Sequence, residues 1–365
     1  IKLDGGKQIT YEAFEGSMEK PLIDKREYKL IRLENGLEAL LIHDPEADKA
    51  SAAMDVRVGH LSDPEGLYGM AHFCEHLLFM GTKKYPRENE YSEYLSNHSG
   101  SSNAFTSLEN TNYFFDVGYA HFEGALDRFA QFFLEPLFDP SCSEREIRAV
   151  DSEHKKNLQS DLWRSFQLDK SLSNPSHPYS KFGTGNLATL WEKPREMGLD
   201  IRDELLKFHE RYYSANMMKL VVLGRESTAK LTEWVAEKFS NVPNKQCDVP
   251  SFPGSPLSDR ELGTQVLFRT IKDVRLLDIT FPFPEQADLY RSKPGQLLSH
   301  LIGHEGHGSL FSCLKQRGWA NLLSAGSAIH AKGFELFKIN IDLTHEGYEH
   351  YGDVVAAVFQ YIDML

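Results

Sequence analysis

The sequence predicts an α+β protein of two related domains, each a mixed, largely antiparallel sheet packed with helices, the second of them incomplete. Three observations predict this fold class. The chain has 365 residues, roughly two to three times the length of a typical domain. Hydrophobic residues make up 41% of it, enough for more than one core. Strand and helix patterns alternate without regular β-α-β spacing, which disfavours a doubly wound sheet.

The first part of the chain contains strand and helix patterns in mixed order. Short apolar runs bounded by polar turns predict strands at 37–43, 52–58, 112–117 and 218–223. Apolar residues at helical spacing, together with capping residues, predict helices at 68–79, 88–97, 121–135, from near 143 past 155, at 200–212 and after Ser227. The helix near 143 has two candidate capping boxes, Ser143 with Glu146 and Ser141 with Glu144.

The composition changes between residues 241 and 260, where proline and glycine dominate and no periodicity survives. We therefore predict a first domain at 1–248, a linker at 249–260 and a second domain at 261–365. The second domain repeats the alternation and indicates a diverged, truncated copy of the first. Its predicted elements are strands near 265–270, 277–281 and 334–341, helices near 294–302 and 309–317, and a final helix.

Charge and cysteine usage exclude several classes of protein. The chain has 53 acidic and 40 basic residues, a net charge of −13, which disfavours nucleic acid and anionic membranes as partners. No apolar run approaches the roughly 20 residues that span a bilayer. The four cysteines have no paired spacing, which disfavours both a disulfide framework and a cysteine zinc site. A reducing compartment follows most simply.

The run His72-Phe73-Cys74-Glu75-His76 carries the chemistry. Histidines four residues apart lie on one face of a helix and can converge on one Zn²⁺. Glu75 lies on nearly the same face and can act as general base on a water at the metal. This H-x-x-E-H order is the inverzincin motif. The alternative is a half-buried helix whose histidines simply form hydrogen bonds, but its apolar neighbours make an unpartnered polar trio costly.

A third ligand is available downstream of this motif. Glu146 and Glu153 are seven residues apart, two helical turns, and so lie on one helix face. Either carboxylate could complete a His₂Glu site that leaves the fourth position to water. The spacing alone does not choose between them.

The residues around the motif resemble the insulin-degrading (insulysin) branch of the inverted-motif zinc peptidases. The matching runs begin with GMAHFCEHLLFMGTKKYP, SGSSNAFTSLENTNYFFDV and AVDSEHKKN. They continue through HPYSKFGTGN at 177–186 and LIGHEGHGSL at 301–310. Fungal members of this branch, which mature a peptide pheromone, fit equally well.

The resemblance implies a zinc endopeptidase that holds one Zn²⁺ per chain and cleaves small to medium peptides. It implies that Glu153 is the third ligand and that Glu146 supports the site. It also implies that the segment Ser102, Asn103, Ala104 and Phe105 holds substrate by strand addition. From the residues alone, that segment could equally be an ordinary edge strand.

In the second domain, the resemblance implies a peptide-anchoring exosite formed by Gly303, Glu305, Ser324, Ala325 and Gly326. The histidines at 300 and 304 in the same region have ligand spacing, so a second metal site is an alternative. Glycines at 303, 306 and 308 interrupt the helix that such a site requires, which disfavours it.

The resemblance also implies partners. Full chains of the branch have four related domains in two halves, so we expect the C-terminal half of the same protein to be a partner, besides peptide substrates, and a homodimer is compatible. The predicted location is cytoplasmic, with peroxisomal or secreted pools compatible. The competing hypotheses are a dibasic-specific or organelle-processing relative and a peptide-binding scaffold with a vestigial zinc site. The intact Glu75 argues against the scaffold.

Overall fold

The computed structural model describes residues 8–365, so the first seven residues of the predicted first domain lie outside it. The chain forms two compact units. The first contains the residues up to Lys156 together with Lys181–Pro250, and the second contains Asn157–Ser180 together with Ser251–Leu365. Among the described residues, no helix has both the length and the apolar character needed to cross a membrane.

The first unit is built on a sheet whose seven strands, among residues 8–365, run in the order β1-β2-β3-β7-β4-β6-β5. Its strands are β1 (Tyr11–Ala13), β2 (Glu27–Leu33), β3 (Glu38–His43), β4 (Lys49–Val56), β5 (Ser101–Thr106), β6 (Thr111–Gly118) and β7 (Met218–Gly224). Strands β3 and β7 pair in parallel, and the other neighbours pair antiparallel. Burial alternates along β4 and β6, because one face of the sheet covers the core.

Helices pack against this sheet. Those of the first unit are α1 (Met70–Leu78), α2 (Glu90–Asn97), α3 (Phe122–Leu134), α4 (Pro140–Asn157), α6 (Lys193–Glu196), α7 (Ile201–Tyr212) and α8 (Thr228–Phe239), with α5 (Asp161–Ser171) belonging to the second unit. Helix α3 buries an apolar stripe at helical spacing, in which Phe129 meets Phe115 of β6 edge to face at 5.1 Å between ring centroids.

The second unit has a smaller antiparallel sheet in the order β8-β10-β9. Its remaining elements are β8 (Leu276–Phe283), α9 (Pro294–Ile302), α10 (Leu310–Gln316), β9 (Ala320–Ala331), β10 (Phe334–Leu343), α11 (His345–Glu349) and α12 (Tyr351–Met364). Its core joins buried residues of β10, such as Ile339 and Ile341, to Val354 and Val358 of α12. The predicted fold class is confirmed: helices pack on mixed, largely antiparallel sheets in two units.

Two local predictions are wrong. No strand forms at 265–270, because this polar-flanked apolar run finds no neighbouring strand to pair with among the described residues. Both capping boxes proposed near 143 also fail, because α4 begins at Pro140 and includes Ser141 and Ser143. Asp139 accepts hydrogen bonds from the Ser141 N–H at 2.8 Å and the Ser141 hydroxyl at 2.7 Å instead. Proline suits this first helical position because it lacks the N–H that would stay unpaired there.

Candidate metal centre

Helix α1 carries the H-x-x-E-H motif and is anchored by its apolar side chains. Phe73, Leu77 and Leu78 are fully buried in the core of the first unit. The histidine side chains on the other side, His72 and His76, are each 15% exposed. Anchoring on one face thus leaves both imidazoles at the edge of the core, accessible to an ion and held in place.

The structure brings a carboxylate of α4 to these imidazoles. The Nε2 atom of His72 lies 3.3 Å from Oε2 of Glu153, and Nε2 of His76 lies 3.8 Å from Oε1 of the same side chain. The three potential ligand atoms lie within 4.8 Å of one another. Two imidazole nitrogens and one carboxylate oxygen at these distances are a donor set that suits Zn²⁺ with an open fourth position.

The remaining ring nitrogens are occupied by acceptors. The Nδ1 atom of His72 lies 2.7 Å from the main-chain oxygen of Thr184, and that of His76 lies 3.2 Å from Oε2 of Glu146. In a neutral imidazole, donation of the Nδ1–H to these acceptors makes Nε2 the nitrogen that can bind a metal. Glu146 therefore contacts the side of His76 that faces away from Glu153, which fits a supporting role.

Glu75 is 7% exposed, and its position is fixed by a hydrogen bond. The hydroxyl of Thr106, on β5, donates to Oε2 of Glu75 at 2.6 Å. Burial raises the pKa of Glu75, although His72 and the Thr106 hydrogen bond partly oppose the rise. A buried carboxylate with a raised pKa is a stronger base than one in water, as general-base chemistry requires.

The charges of the site reinforce one another. The hydrogen bond with His72 lowers the pKa of Glu153. Burial disfavours the imidazolium of His72, but Glu153, the charge of Glu75 and the Thr184 carbonyl together outweigh burial and raise the pKa of His72. Three carboxylates, Glu75, Glu146 and Glu153, therefore surround two imidazoles. This excess of negative charge favours a divalent cation at the centre.

The predicted substrate segment forms most of β5, which lies at one end of the seven-stranded sheet. Strand β5 pairs with β6, so its other edge has no partner strand among residues 8–365. Ser102 and Ala104 are half-buried, whereas Asn103 and Phe105 are exposed. Thr106, the last residue of this strand, contacts Glu75, so the free edge ends beside the candidate base.

The residues predicted for the exosite lie in the second unit. Ser324, Ala325 and Gly326 are in the middle of β9, Gly303 ends α9, and Glu305 is exposed in the loop after it. The Ser299 hydroxyl of α9 donates to the Ala325 carbonyl, which ties the helix to the strand. A cleft of about 400 Å³ is also lined by this strand, with walls formed by Leu162, Ser165, Phe166, Asp169, Asp278, Ser324, Gly326, Lys338 and Asn340.

Cys74 is enclosed beneath the site. Its side chain is fully buried, and burial raises the pKa of its thiol to about 12. The nearby Tyr213 hydroxyl is hydrogen bonded to that of Tyr113 at 2.7 Å. The Cys74 thiol is therefore a poor nucleophile, because it stays protonated and lies away from solvent.

Two contacts of the site were not predicted from the sequence: the Thr106 hydroxyl on Glu75 and the Thr184 carbonyl behind His72. Thr106 is the last residue of the segment SNAFT, and Thr184 lies between Gly183 and Gly185 in the run KFGTGN. A glycine-rich polar loop is the signal that could have indicated Thr184, since close backbone contacts need glycine.

Comparison with known proteins now identifies the family. The model described as Insulinase (Peptidase family M16) matches residues 38–176, and the model described as Peptidase M16 inactive domain matches residues 200–365. The chain belongs to peptidase family M16. The second match contains the whole of the second predicted domain, 261–365.

Several M16 relatives match nearly the whole chain. The insulin-degrading enzyme of Homo sapiens is 57% identical over 342 residues, which are 94% of this chain and 34% of that protein. The A-factor-processing enzyme of Saccharomyces cerevisiae is 53% identical over 356 residues, 98% of this chain and 35% of that protein. The crystal structure of pitrilysin superposes with a TM-score of 0.94 at 36% identity and covers 98% of this chain and 38% of that one. The M16 chain thus spans about a third of the length of these relatives.

Proposed function

We propose that the protein containing this M16 chain is a zinc-dependent endopeptidase of the inverzincin type. The observation that carries the proposal is the convergence of His72, His76 and Glu153, whose ligand atoms lie within 4.8 Å of one another. The acceptors on both Nδ1 atoms support it, because they leave the Nε2 atoms free to bind. When bound there, Zn²⁺ would lower the pKa of a bound water and polarise the scissile carbonyl of the substrate.

The residues of this chain then divide the work. Glu75 takes the proton of the attacking water and returns it to the leaving amine. Thr106 holds the Glu75 carboxylate by a hydrogen bond to Oε2. Glu146 keeps the tautomer and orientation of His76 through its contact with Nδ1. Thr106 and Glu146 are already within contact distance of Glu75 and His76, respectively.

The substrates are small to medium peptides bound as an added strand. The free edge of β5, at Ser102–Phe105, offers main-chain hydrogen bonds that do not depend on side chains. We propose insulin-like, amyloid-like or pheromone-type peptides as the substrate class. Two relatives are named an insulin-degrading enzyme and an A-factor-processing enzyme, and the first name supports the insulin-like member of that class. In the second unit, the region of Gly303, Glu305, Ser324, Ala325 and Gly326 serves as a peptide-anchoring exosite.

The partner of this chain is the C-terminal half of the same protein. The supporting observation is that the chain covers 34% of the insulin-degrading enzyme it matches. That half completes the enclosure of substrate and adds donors opposite the zinc, and a homodimer is compatible with this arrangement. A cytoplasmic location stays a prediction.

The test uses the full-length protein and a quenched peptide of a few tens of residues. Zinc content is measured first, and cleavage is followed with and without a chelator. We expect one zinc per chain, and activity that is lost with the chelator and regained when zinc is added back. Peptide binding without cleavage, in a protein that holds zinc, would favour the scaffold hypothesis instead.

A further inference from the structure

The two histidine ligands of the candidate centre are held by partners of different kinds. His76 is held by the carboxylate of Glu146, on α4. His72 is held by the main-chain carbonyl of Thr184, which is 112 residues away in the sequence. The position of this carbonyl depends on the conformation of the loop that contains it. The position of residues 181–187, which we call the strap, therefore determines the orientation of His72.

The strap is packed tightly on the start of α1. Gly69, the residue before that helix, has φ of +90°, and Gly185 of the strap has φ of +80°. A Cβ atom on Gly69 would lie 2.2 Å from Cα of Gly185, so the two backbones touch. This contact fixes how close the strap comes to the helix that carries His72.

The start of α1 is itself capped from a distance. Gly69 has no side chain to cap the helix, and the buried carboxylate of Asp63 accepts from the N–H groups of Gly69 at 2.6 Å and Ala71 at 2.8 Å. Asp63 thereby pairs helix N–H groups that lack an intrahelical partner and places negative charge at the positive end of the helix.

Lys181 connects the strap to the turn that contains Asp63. Its ammonium donates to the main-chain oxygen of Leu61 at 3.1 Å and to that of Asp63 at 2.8 Å. One end of the strap is thus tied to the turn whose aspartate caps α1. The other end is tied to α4, because the N–H of Leu187 donates to Asp151 at 3.1 Å, two residues before Glu153.

We propose that Lys181 is a positioning residue for the metal ligand His72, acting through the strap and the Thr184 carbonyl. The proposal rests on the proposed zinc function. An acceptor behind a ligand imidazole sets the orientation of the ring and its basicity, and its loss typically lowers metal affinity about 10–100-fold. Removing the ammonium frees the strap at its first residue and leaves the Thr184 carbonyl less well aligned with Nδ1 of His72.

The experiment compares Lys181→Met with a matched control in the full-length zinc protein. Lys245 is the control, because its ammonium also donates to a main-chain carbonyl, that of Glu210 at 2.9 Å, and pairs with the Glu210 carboxylate at 2.8 Å on α7, which carries no metal ligand. Zinc dissociation constants come from competition with a chromophoric chelator. The Co²⁺ absorption spectrum reports ligand geometry, and Tm of the metal-free proteins reports stability.

We expect Lys181→Met to raise the zinc dissociation constant about 10–100-fold and to change the Co²⁺ spectrum. Lys245→Met should change neither the zinc dissociation constant nor the Co²⁺ spectrum, even if it lowers Tm as much as Lys181→Met does. Lys181→Arg keeps donors and should regain part of the affinity. If Lys181→Met does not fold, Lys181→Gln, with a single amide group, takes its place and should change the affinity in the same direction.

An unchanged zinc dissociation constant and Co²⁺ spectrum in a folded Lys181→Met protein would overturn the proposal and leave Lys181 a purely structural residue. So would an equal loss of zinc affinity in Lys245→Met. The wild-type titration separates this outcome from failure of the proposed function. If the wild-type protein binds no zinc, the zinc function itself fails, before any variant is compared.

Discussion

Two pairs of histidines share a four-residue spacing in this chain, and they have different surroundings. His72 and His76 lie on one continuous helix, their ring centroids 4.8 Å apart, next to Glu153. His300 lies on α9, but that helix ends at Ile302, and His304 follows it in an exposed loop with the centroids 5.7 Å apart. Among the described residues, the first pair alone belongs to a cluster that could hold a metal.

A four-residue spacing of two histidines therefore does not make a metal site without further ligands and acceptors around them. The first pair gains a third donor from another helix and an acceptor behind each ring, so both imidazoles are fixed before an ion arrives. The second pair is exposed on a segment that contains glycines 303, 306 and 308. Exposed side chains there would lose conformational freedom on binding a metal, which weakens the site.

The largest expected effect is that of replacing Glu75, the candidate base next to the first pair of histidines. Glu75→Gln should keep zinc and peptide binding but lower kcat by about 10²–10⁴-fold, because the amide cannot take the water proton. Single-turnover cleavage and zinc analysis measure the two properties. Glu93→Gln, an exposed carboxylate of α2, is the control. A near-normal kcat in Glu75→Gln would remove Glu75 from the mechanism.

The next prediction asks whether the first site suffices by itself. We expect the isolated 365-residue chain to bind zinc and short peptides but to cleave them with kcat/KM about 10²–10³-fold below that of the full-length protein. An open site exposes the developing oxyanion to water and lacks donors opposite the metal. Adding the separately expressed C-terminal half should restore activity. Equal kcat/KM values for the isolated chain and the full-length protein would contradict the proposal that the C-terminal half encloses the substrate and adds donors opposite the zinc.

The third prediction separates the two glutamates of α4. Glu153→Gln should weaken zinc binding far more than Glu146→Gln, for which a loss of about 10–100-fold is expected. The reason is that Glu153 lies against both Nε2 atoms, whereas Glu146 contacts Nδ1 of His76. Zinc competition titrations measure both, with Glu144→Gln on the same helix as control. The opposite ranking would assign the ligand role to Glu146.

A smaller effect is expected at Thr106. Thr106→Val keeps the shape of the side chain but removes the hydrogen bond to Glu75, and should lower kcat about 10-fold with zinc affinity unchanged. Thr106→Ser restores the hydroxyl and should restore kcat. A near-normal kcat in Thr106→Val would show that Glu75 does not need this hydrogen bond.

The smallest expected effect concerns the second histidine pair. His300→Ala with His304→Ala should leave the zinc content at one per chain, because this pair contributes no ligand. Metal analysis of the purified double variant is the measurement, and His72→Ala is the positive control. Loss of a metal ion from the His300/His304 variant would show that spacing alone had been enough.

Much of the candidate site could be read from local patterns. The helix at 68–79 and the strand at 112–117 follow from apolar periodicity, and the structure has α1 and β6 there. The choice between Glu146 and Glu153 could not be made from their spacing, because both lie on the same helix face. It depends on how α4 lies against α1, which is a property of packing.

Residue types and periodicities within single elements were enough to predict the fold class, the histidine pair and the candidate base. Tertiary structure decided everything that joins distant segments. The Thr184 carbonyl behind His72, the Thr106 hydroxyl on Glu75 and the Lys181 tie connect residues 31–120 positions apart. No local pattern encodes such pairs, because the core packs its elements in three dimensions and brings these groups together only when the chain is folded.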